Sequence, residues 1–403
     1  MIELGSMDAD VSDATFRAYT AEVERLTRRT LAEVQESNDK ITPKRLAATT
    51  SATMSVAAVQ RALKALGFFP GASVDGICGY RTLSAIRLFQ EYVRSVENLP
   101  CTPDGQFGPK SQAHLERWMA GALRPNWSDT VAAWSANAQG RGEYAAWLAL
   151  LERVKQQSLA TPGTVQQLVN AFHGPSDTRP VATWDFTSSG NVHLIGIRRA
   201  EMQGKFDDIF VLLIKGLVFK FQGTTEPGAS ENPAGPPFLV PGQHDYHFGW
   251  HKSSYLALRP QSTGVLVVRA GANKVLDDAD YAHGLEPNAT INIHWGGKGM
   301  TRDVKNWSEG CQTINGTVYM NASNHVVSCA AFTAADPKEA STNPARTRGA
   351  YNVLLDLVSA LASDITNGAL KYMLLTESDL ALAPTLAQGL ADARVDVLRM
   401  ATT

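Results

Sequence analysis

The chain has 403 residues, 44% of them hydrophobic, which is enough for two or three domains with separate cores. Its formal net charge is -2, and no run of Lys and Arg extends beyond Arg28 and Arg29, so the sequence lacks the basic stripe of a nucleic-acid-binding protein. No segment approaches the roughly 20 consecutive apolar residues of a membrane span.

The amino terminus does not show the charged and apolar segments of a signal peptide. We therefore expect export through a dedicated or non-classical route if the protein acts outside the cell. The chain has four cysteines, and no two of them form a Cys-x-x-Cys pair, so their spacing matches no zinc site. Cys78 and Cys101 are either a disulfide pair or two free thiols.

Residues from Ser12 to about Gln35 carry apolar side chains every three or four positions, with charged side chains between them. This period predicts an amphipathic helix. Its apolar side either packs on its own domain or docks on a partner such as a secretion-system component. We assign residues 1–52 to this helix and to a linker rich in Ser, Thr and Ala.

The next segment predicts helices separated by glycine turns. Val56 to Leu66 has a helical period and stops at Gly67, a turn follows over Val74–Gly79, and Thr82 opens a second helix. A second copy of the turn, with a further helix behind it, begins at Pro103. Asp75 and Asp104 are expected to form these turns by accepting backbone N–H bonds.

This order of motifs, from Val56 to Gln90, resembles the helical peptidoglycan-binding domain. The resemblance implies peptidoglycan as a partner, and we assign residues 53–126 to such a domain. Residues 127–172 then predict a helical linker with two helices, one from Glu143 to about Ser158 and one capped by Thr161.

Beyond residue 173 the apolar period changes from helical to extended. The predicted strands are Val192–Ile197, Ile209–Ile214, Leu217–Phe221, Tyr255–Leu258, Val265–Val268, Thr290–Ile293 and Leu370–Leu375. A helix is predicted over Tyr351–Leu361, and the segment from Gln222 to Gly242 is either a lid or a surface loop. We assign residues 173–376 to one mostly β domain and residues 377–403 to a helical tail.

The side chains best suited to chemistry lie between Ile291 and Ile314. A short apolar strand carries His294, a glycine-rich loop follows, and Gly310 directly precedes Cys311. A free thiol is mostly protonated at neutral pH and needs a base, so the sequence predicts Cys311 as a nucleophile and His294 as its base. Gly310 would let a substrate approach the N–H groups that bind an oxyanion, and Ser308 would orient the imidazole or the substrate.

This spacing, a His followed after a loop by Ser-x-Gly-Cys, resembles the signature of the L,D-transpeptidase catalytic domain family. The resemblance covers roughly residues 172–376. It implies an α+β multidomain protein in which a mostly β catalytic domain follows the helical peptidoglycan-binding module. It also implies a substrate, the peptidoglycan tetrapeptide stem, from which Cys311 releases D-alanine to leave a thioester without any cofactor. Water, a D-amino acid or a second stem then resolves that thioester.

The chain departs from the family pattern at three positions. Family members usually carry Gly after the His, a second His before Gly-Cys, and Arg or Asn two residues past the Cys. Trp295, Glu309 and Thr313 occupy these positions here. Asn315, or an Arg elsewhere, would then have to supply the contact with the substrate carboxylate.

Three histidines, His244, His247 and His251, have a spacing that would suit a metal on a helix. Their Gly- and Trp-containing surroundings do not favour a helix, and no Glu-bearing zinc motif accompanies them, so no metal is expected. His251 lies where related domains carry a His in the substrate cleft. The further candidates for substrate binding are Trp295, Tyr246, Trp250 and Asn315.

Taken together, the motifs predict a peptidoglycan-modifying cysteine enzyme, an L,D-carboxypeptidase or L,D-transpeptidase. Without a signal peptide, a secreted antibacterial effector or a phage lytic protein is favoured. Such a protein acts in the periplasm or cell wall and has an immunity protein as a second partner. The alternatives are an L,D-transpeptidase that crosslinks the cell's own wall, a metal-dependent peptidase and a non-catalytic peptidoglycan-binding protein.

Overall fold

The structure is a computed structural model. It describes residues 1–34, 39–46, 53–69, 73–125, 142–187, 192–199, 204–228, 235–271, 275–298, 304, 307–362 and 370–402. The helices of these residues are α1 (Asp13–Thr27), α2 (Val56–Leu66), α3 (Tyr80–Ser95), α4 (Pro109–Ala120), α5 (Gly142–Ala160), α6 (Thr164–Ala171), α7 (Pro337–Thr342), α8 (Ala350–Leu361) and α9 (Pro384–Thr402).

The strands fall into one large sheet and two small ones. They are β1 (Ser6–Met7), β2 (Lys44–Arg45), β3 (Val192–Arg198), β4 (Asp208–Ile214), β5 (Leu217–Thr224), β6 (Pro237–Leu239), β7 (Gly242–His251), β8 (Tyr255–Pro260), β9 (Val265–Arg269), β10 (Glu286–Asn288), β11 (Ile293–Trp295), β12 (Gln312–Met320), β13 (Val326–Ser328) and β14 (Leu370–Thr376).

The predicted first helix exists but is shorter than expected. Ser12 caps α1 by accepting a hydrogen bond from the Thr15 backbone N–H at 3.0 Å. The helix ends at Arg28, whose φ of 56° is left-handed and breaks the helical hydrogen bonding. The apolar side of α1 packs, in the same core as Ile77, against the buried Trp250, so it faces its own chain.

The predicted helices of residues 53–126 are present, and the two glycine turns are built alike. The Gln60 side chain on α2 donates to Asp75 and accepts from the Gly76 N–H. Gln90 on α3 repeats this pattern with Asp104 and the Gly105 N–H. Asp75 and Asp104 also accept the N–H two residues ahead, as expected of turn formers. The second turn is therefore a structural repeat of the first.

The helical module shares one hydrophobic core with the large sheet, because α3 packs against α8. The Arg87 guanidinium on α3 forms a salt bridge of 2.6 Å with Asp356 on α8, whose side chain is 2% exposed. Glu91, also buried, accepts the Tyr319 hydroxyl of β12 at 2.6 Å. Arg94 donates to the Ser328 carbonyl at 3.0 Å. These contacts fix the module against the sheet.

The large sheet has the strand order β11-β8-β7-β14-β3-β4-β5-β12-β13. An additional pairing of β11 with β12 joins the two sides of this order, so the sheet is barrel-like. Six of the seven strands predicted from the extended period are present, with ends that differ by at most three residues, whereas the predicted strand Thr290–Ile293 shares only Ile293 with β11. The most important addition is β12, which begins one residue after Cys311 and lies beside β11.

The segments outside the module and the sheet are helical. The linker contains α5 and α6, but α6 begins behind Gly163 rather than at Thr161. Residues 126–141 of the linker lie outside the described residues. Trp147 of α5 is fully buried, in one core with Leu386 and Leu390 of the tail helix α9. None of the described helices is both long and apolar enough to cross a bilayer.

The segment from Gln222 to Gly242 is partly ordered sheet. β5 continues to Thr224, and β6 pairs antiparallel with β9. Residues 229–234 of the expected lid or loop lie outside the described residues. All four cysteines are free thiols, so Cys78 and Cys101 are unpaired in the structure.

Candidate functional site

The turn before β12 presents Cys311. The Ser308 hydroxyl donates to the Cys311 carbonyl at 2.6 Å and accepts the Gly310 N–H at 3.0 Å. Gly310 has a φ of 134°, and a Cβ there would lie 2.5 Å from the Pro237 carbonyl oxygen. Only glycine fits such a position without strain. In this conformation the Ser308 hydroxyl stabilises the turn. The residue is buried, and both hydrogen bonds of its hydroxyl are to backbone groups of the turn.

Two neighbouring parallel strands bring Cys311 and His294 to the same face of the sheet. Ile293 pairs with Gln312 and His294 with Thr313, while the Gln312 N–H donates to the Asn292 carbonyl at 2.8 Å. Cys311 therefore lies beside Asn292, two residues from His294 along the strand direction. Residues two apart along a strand share a face, so this register assigns Cys311 and His294 to one face, in adjacent rows about 6.5 Å apart.

The hydrogen bonds of His294 define its tautomer. Its Nδ1 lies 2.7 Å from the Trp295 carbonyl oxygen, which can only accept, so Nδ1 carries the proton. The Tyr255 hydroxyl lies 3.3 Å from the same nitrogen and helps to fix the ring. The buried Nε2 has no hydrogen-bond partner among the described residues. A neutral imidazole in this tautomer presents a free lone pair at Nε2, as a general base requires.

The Cys311 thiol is partly exposed and makes two backbone contacts. It donates to the Thr290 carbonyl at 3.2 Å and accepts the Asn292 N–H at 3.4 Å. Burial raises the pKa of the thiol to about 11, against the lowering effects of the Asn292 N–H, Lys252 and Arg259. Burial lowers the pKa of His294 to about 4. The resting site therefore holds a neutral thiol and a neutral imidazole.

A second imidazole lies on the first. The rings of His251 and His294 are stacked with centroids 4.0 Å apart and planes inclined by 25°. The Asn292 side-chain amide donates to His251 Nδ1 at 3.1 Å. Burial, with the neighbouring His294, lowers the pKa of His251 to about 2. His251 thus lies in the site that the sequence predicted, as a neutral ring against the proposed base.

The other predicted substrate contacts occupy the interior. Tyr246, Trp250, Trp295 and Asn315 are each 0% exposed. The Tyr246 hydroxyl donates to the Ile291 carbonyl, and Trp295 packs against Tyr255 and Trp307. The Asn315 amide is bonded to Gln222. In this conformation these four side chains offer a substrate no surface, and their role as substrate contacts stays a prediction.

The histidine-rich segment is strand β7, not a helix. Alternation along the strand points His244 away from His247 and His251. His244 is bonded to the Thr178 hydroxyl at 2.9 Å and to the Val240 carbonyl at 3.0 Å. Within the part of the chain that the structure describes, no three His, Cys, Asp or Glu side chains converge as metal ligands.

Sequence reasoning missed three residues of the site. Asn292 and Tyr255 contact the imidazoles, and Arg259 lies on the strand next to Asn292, since Leu258 pairs with Ile293. Their signal was the period of two in β8 and β11, which places Tyr255 and Arg259 on one face, and Asn292 with His294 on one face. The prediction of β8 as Tyr255–Leu258 stopped one residue short of Arg259.

A cavity of about 320 Å³ lies elsewhere, between α1, α3 and α8. Its lining includes Tyr19, Asp75, Arg81 and Asn352, but neither Cys311 nor His294. The cavity is therefore separate from the site around the thiol.

Comparison with known proteins identifies one part of the chain. Residues 54–110 match the model of the family described as "Putative peptidoglycan binding domain". A solved structure from Clostridium acetobutylicum ATCC 824, a fused Zn-dependent amidase/peptidase/peptidoglycan-binding domain-containing protein, matches with 15% sequence identity and a TM-score of 0.19. The match covers 64% of this chain and 85% of that one. No curated protein matches the chain. Residues 54–110 thus form a peptidoglycan-binding domain, with peptidoglycan as the indicated partner.

Proposed function

We propose that the chain is a cysteine enzyme that acts on the tetrapeptide stems of peptidoglycan, in the manner of an L,D-transpeptidase or L,D-carboxypeptidase. One observation carries the proposal: the pairing of β11 with β12 brings His294 within two residues of Cys311, and Nε2 of His294 has no hydrogen-bond partner among the described residues. The peptidoglycan-binding domain, packed on the same sheet, supports the choice of substrate.

In the reaction, the thiol leaves the Thr290 carbonyl by rotation about χ1 and gives its proton to Nε2 of His294. The sulfur attacks the carbonyl carbon of the third stem residue. The C–N bond to D-alanine then breaks, and the imidazolium protonates the departing amine. A thioester on Cys311 remains, and water, a D-amino acid or a second stem accepts the acyl group.

The backbone around Cys311 would stabilise the oxyanion formed during attack. The Gly310 N–H is bonded to Ser308 in the resting structure, so the Cys311 N–H is the first candidate donor. Loss of such a donor typically lowers kcat about 100-fold to 1000-fold. His251 and Tyr255 act as positioning residues, because each contacts the imidazole of His294.

The test is release of D-alanine from purified tetrapeptide stems, followed by mass spectrometry. The unaltered protein should release D-alanine, and both Cys311→Ala and His294→Gln should abolish release. Cys101→Ala, which removes another partly exposed thiol, is the matched control and should keep full activity. No release by either protein would support a non-catalytic peptidoglycan-binding protein, and equal release by both would support a metal-dependent peptidase, whose activity a chelator abolishes.

We further propose that the protein acts in the wall of a target cell, as a secreted effector or a phage lytic protein. Export of the protein to the periplasm of a test bacterium should then cause lysis or altered stem composition, and Cys311→Ala should cause neither. Growth with normal shape, together with additional stem crosslinks, would instead support an enzyme that crosslinks the wall of its own cell.

A further inference from the structure

Arg259 places a guanidinium beside the thiol. Leu258 of β8 pairs with Ile293 of β11, so Arg259 lies next to Asn292. On the other side, Ile293 pairs with Gln312 of β12, so Asn292 also lies next to Cys311. The Arg259 side chain runs across Gly249 of β7, where an added Cβ would lie only 2.7 Å from Arg259 Cδ. Glycine at this position therefore leaves the path open for the arginine.

The thiol and the guanidinium are held on adjacent carbonyl groups. Arg259 Nη2 donates to the Ala289 carbonyl at 3.5 Å, and Cys311 Sγ donates to the Thr290 carbonyl at 3.2 Å. Arg259 Nη1 donates to the Trp250 carbonyl at 3.0 Å. These bonds leave other N–H groups of the guanidinium for a ligand, since an arginine carries five.

None of the described carboxylates neutralises the Arg259 cation. Among the residues that the structure describes, no Asp or Glu oxygen lies within 4.0 Å of the Arg259 guanidinium. Partial burial lowers the pKa of Arg259, and Arg29 and Arg28 at the end of α1 lower it further, against the raising effect of Cys311. Lys252, in the turn between β7 and β8, also adds positive charge near Cys311. A partly desolvated cation in such a field favours an anionic ligand.

A second unpaired group lies between the cation and the thiol. Asn292 is 5% exposed, and its side-chain oxygen Oδ1 has no hydrogen-bond partner among the described residues. Buried polar atoms are normally paired, so this oxygen suits an N–H donor on a ligand. A carboxylate for Arg259 and an N–H for Asn292 are adjacent groups at the C-terminus of a peptide.

We propose that Arg259 binds the terminal carboxylate of the peptide whose last amide bond Cys311 attacks, so that the site selects peptides with a free C-terminus. The planar fork of the guanidinium can hold both carboxylate oxygens. This inference deepens the proposed function, but anion binding beside Cys311 is testable without turnover.

The first experiment compares alkylation of Cys311 by iodoacetate and by iodoacetamide, measured on the Cys311 peptide by mass spectrometry. The rate ratio of the anionic to the neutral reagent should fall about tenfold in Arg259→Gln, because charge-assisted hydrogen bonds contribute that much. Arg259→Lys should keep part of the ratio. Lys252→Gln, the matched loss of one nearby charge, should change it less than Arg259→Gln does. An unchanged ratio in Arg259→Gln overturns the proposal.

The second experiment uses the unaltered protein, so it does not depend on the folding of a variant. N-acetyl-D-alanine should protect Cys311 from iodoacetamide, and N-acetyl-D-alaninamide should not. Equal protection by both, or by neither at millimolar concentration, refutes carboxylate binding. If protection is selective but no stem is cleaved, the anion site stands and the proposed enzyme activity fails.

Discussion

Replacing His294 with Gln should leave the reactivity of Cys311 with iodoacetamide nearly unchanged, although it should abolish turnover. The thiol has a pKa of about 11, so at pH 7 about one molecule in ten thousand carries a thiolate. The pKa of the His294 imidazole is about 4, so the two pKa values differ by about seven. Moving the proton from the thiol to the imidazole is therefore unfavourable by a free energy on the order of 10 kcal/mol. The free protein therefore holds no thiolate–imidazolium pair.

The assay is the rate at which iodoacetamide alkylates Cys311 in the folded protein between pH 5 and pH 11, measured on the peptide that contains Cys311. In the unaltered protein and in His294→Gln alike, the logarithm of the rate should rise with a slope of about one up to the pKa of the thiol. His193→Gln, which changes another buried imidazole, is the control. A plateau of fast alkylation between pH 5 and pH 8 that disappears in His294→Gln would refute the reasoning, because it requires a preformed ion pair.

Three further substitutions test other parts of the structure. Arg87→Ala should destabilise the chain by about 3 to 5 kcal/mol in urea unfolding, because it leaves the buried Asp356 carboxylate without its partner. His193→Leu should reduce the loss of thermal stability between pH 6.5 and pH 4. Burial lowers the pKa of His193 to about 4, so between pH 6.5 and pH 4 this imidazole is protonated in the unfolded chain but neutral in the folded one. Folding therefore becomes less favourable as the pH falls through this range. Gly310→Ala should lower D-alanine release about a hundredfold, because the added Cβ collides with the Pro237 carbonyl of β6 and displaces the turn that carries Cys311.

Each of these substitutions has a control or a contrary result. The double variant Arg87→Met with Asp356→Leu should cost less than Arg87→Ala alone, and a larger cost would show that the salt bridge is not the cause. Identical pH profiles for the unaltered protein and His193→Leu would exclude that imidazole as a source of acid lability. Gly389→Ala, where an added Cβ meets no atom within 4 Å, should keep full D-alanine release.

Local chemistry made part of the fold predictable. Gly67 ends α2 with a φ of 92°, and Asp75 and Asp104 form their turns with the expected N–H bonds. These features depend on neighbours within a few residues, so the sequence shows them directly. The strand carrying His294 was also predictable, from its apolar residues.

The remaining features depend on contacts between distant segments. β12 contains Asn315, Gly316 and Thr317, which do not follow a strand pattern, and it is a strand because β5 and β11 pair with it on both sides. Arg259 joins the site only because β8 lies beside β11. The residues of β8 and β11 do not by themselves indicate that the two strands pair. Trp295 and Asn315 looked suited to a substrate, but they stand in the interior.

The continuous core between α3 and α8 has a mechanical consequence. Since the Arg87–Asp356 and Glu91–Tyr319 contacts join the helical module to the sheet, the module has no hinge there about which to swing. A glycan strand gripped by residues 54–110 would hold the Cys311 face at one distance and one angle from the point of attachment. Cys311 would then reach only those peptide stems whose distance from the bound part of the wall matches the fixed distance between residues 54–110 and the thiol.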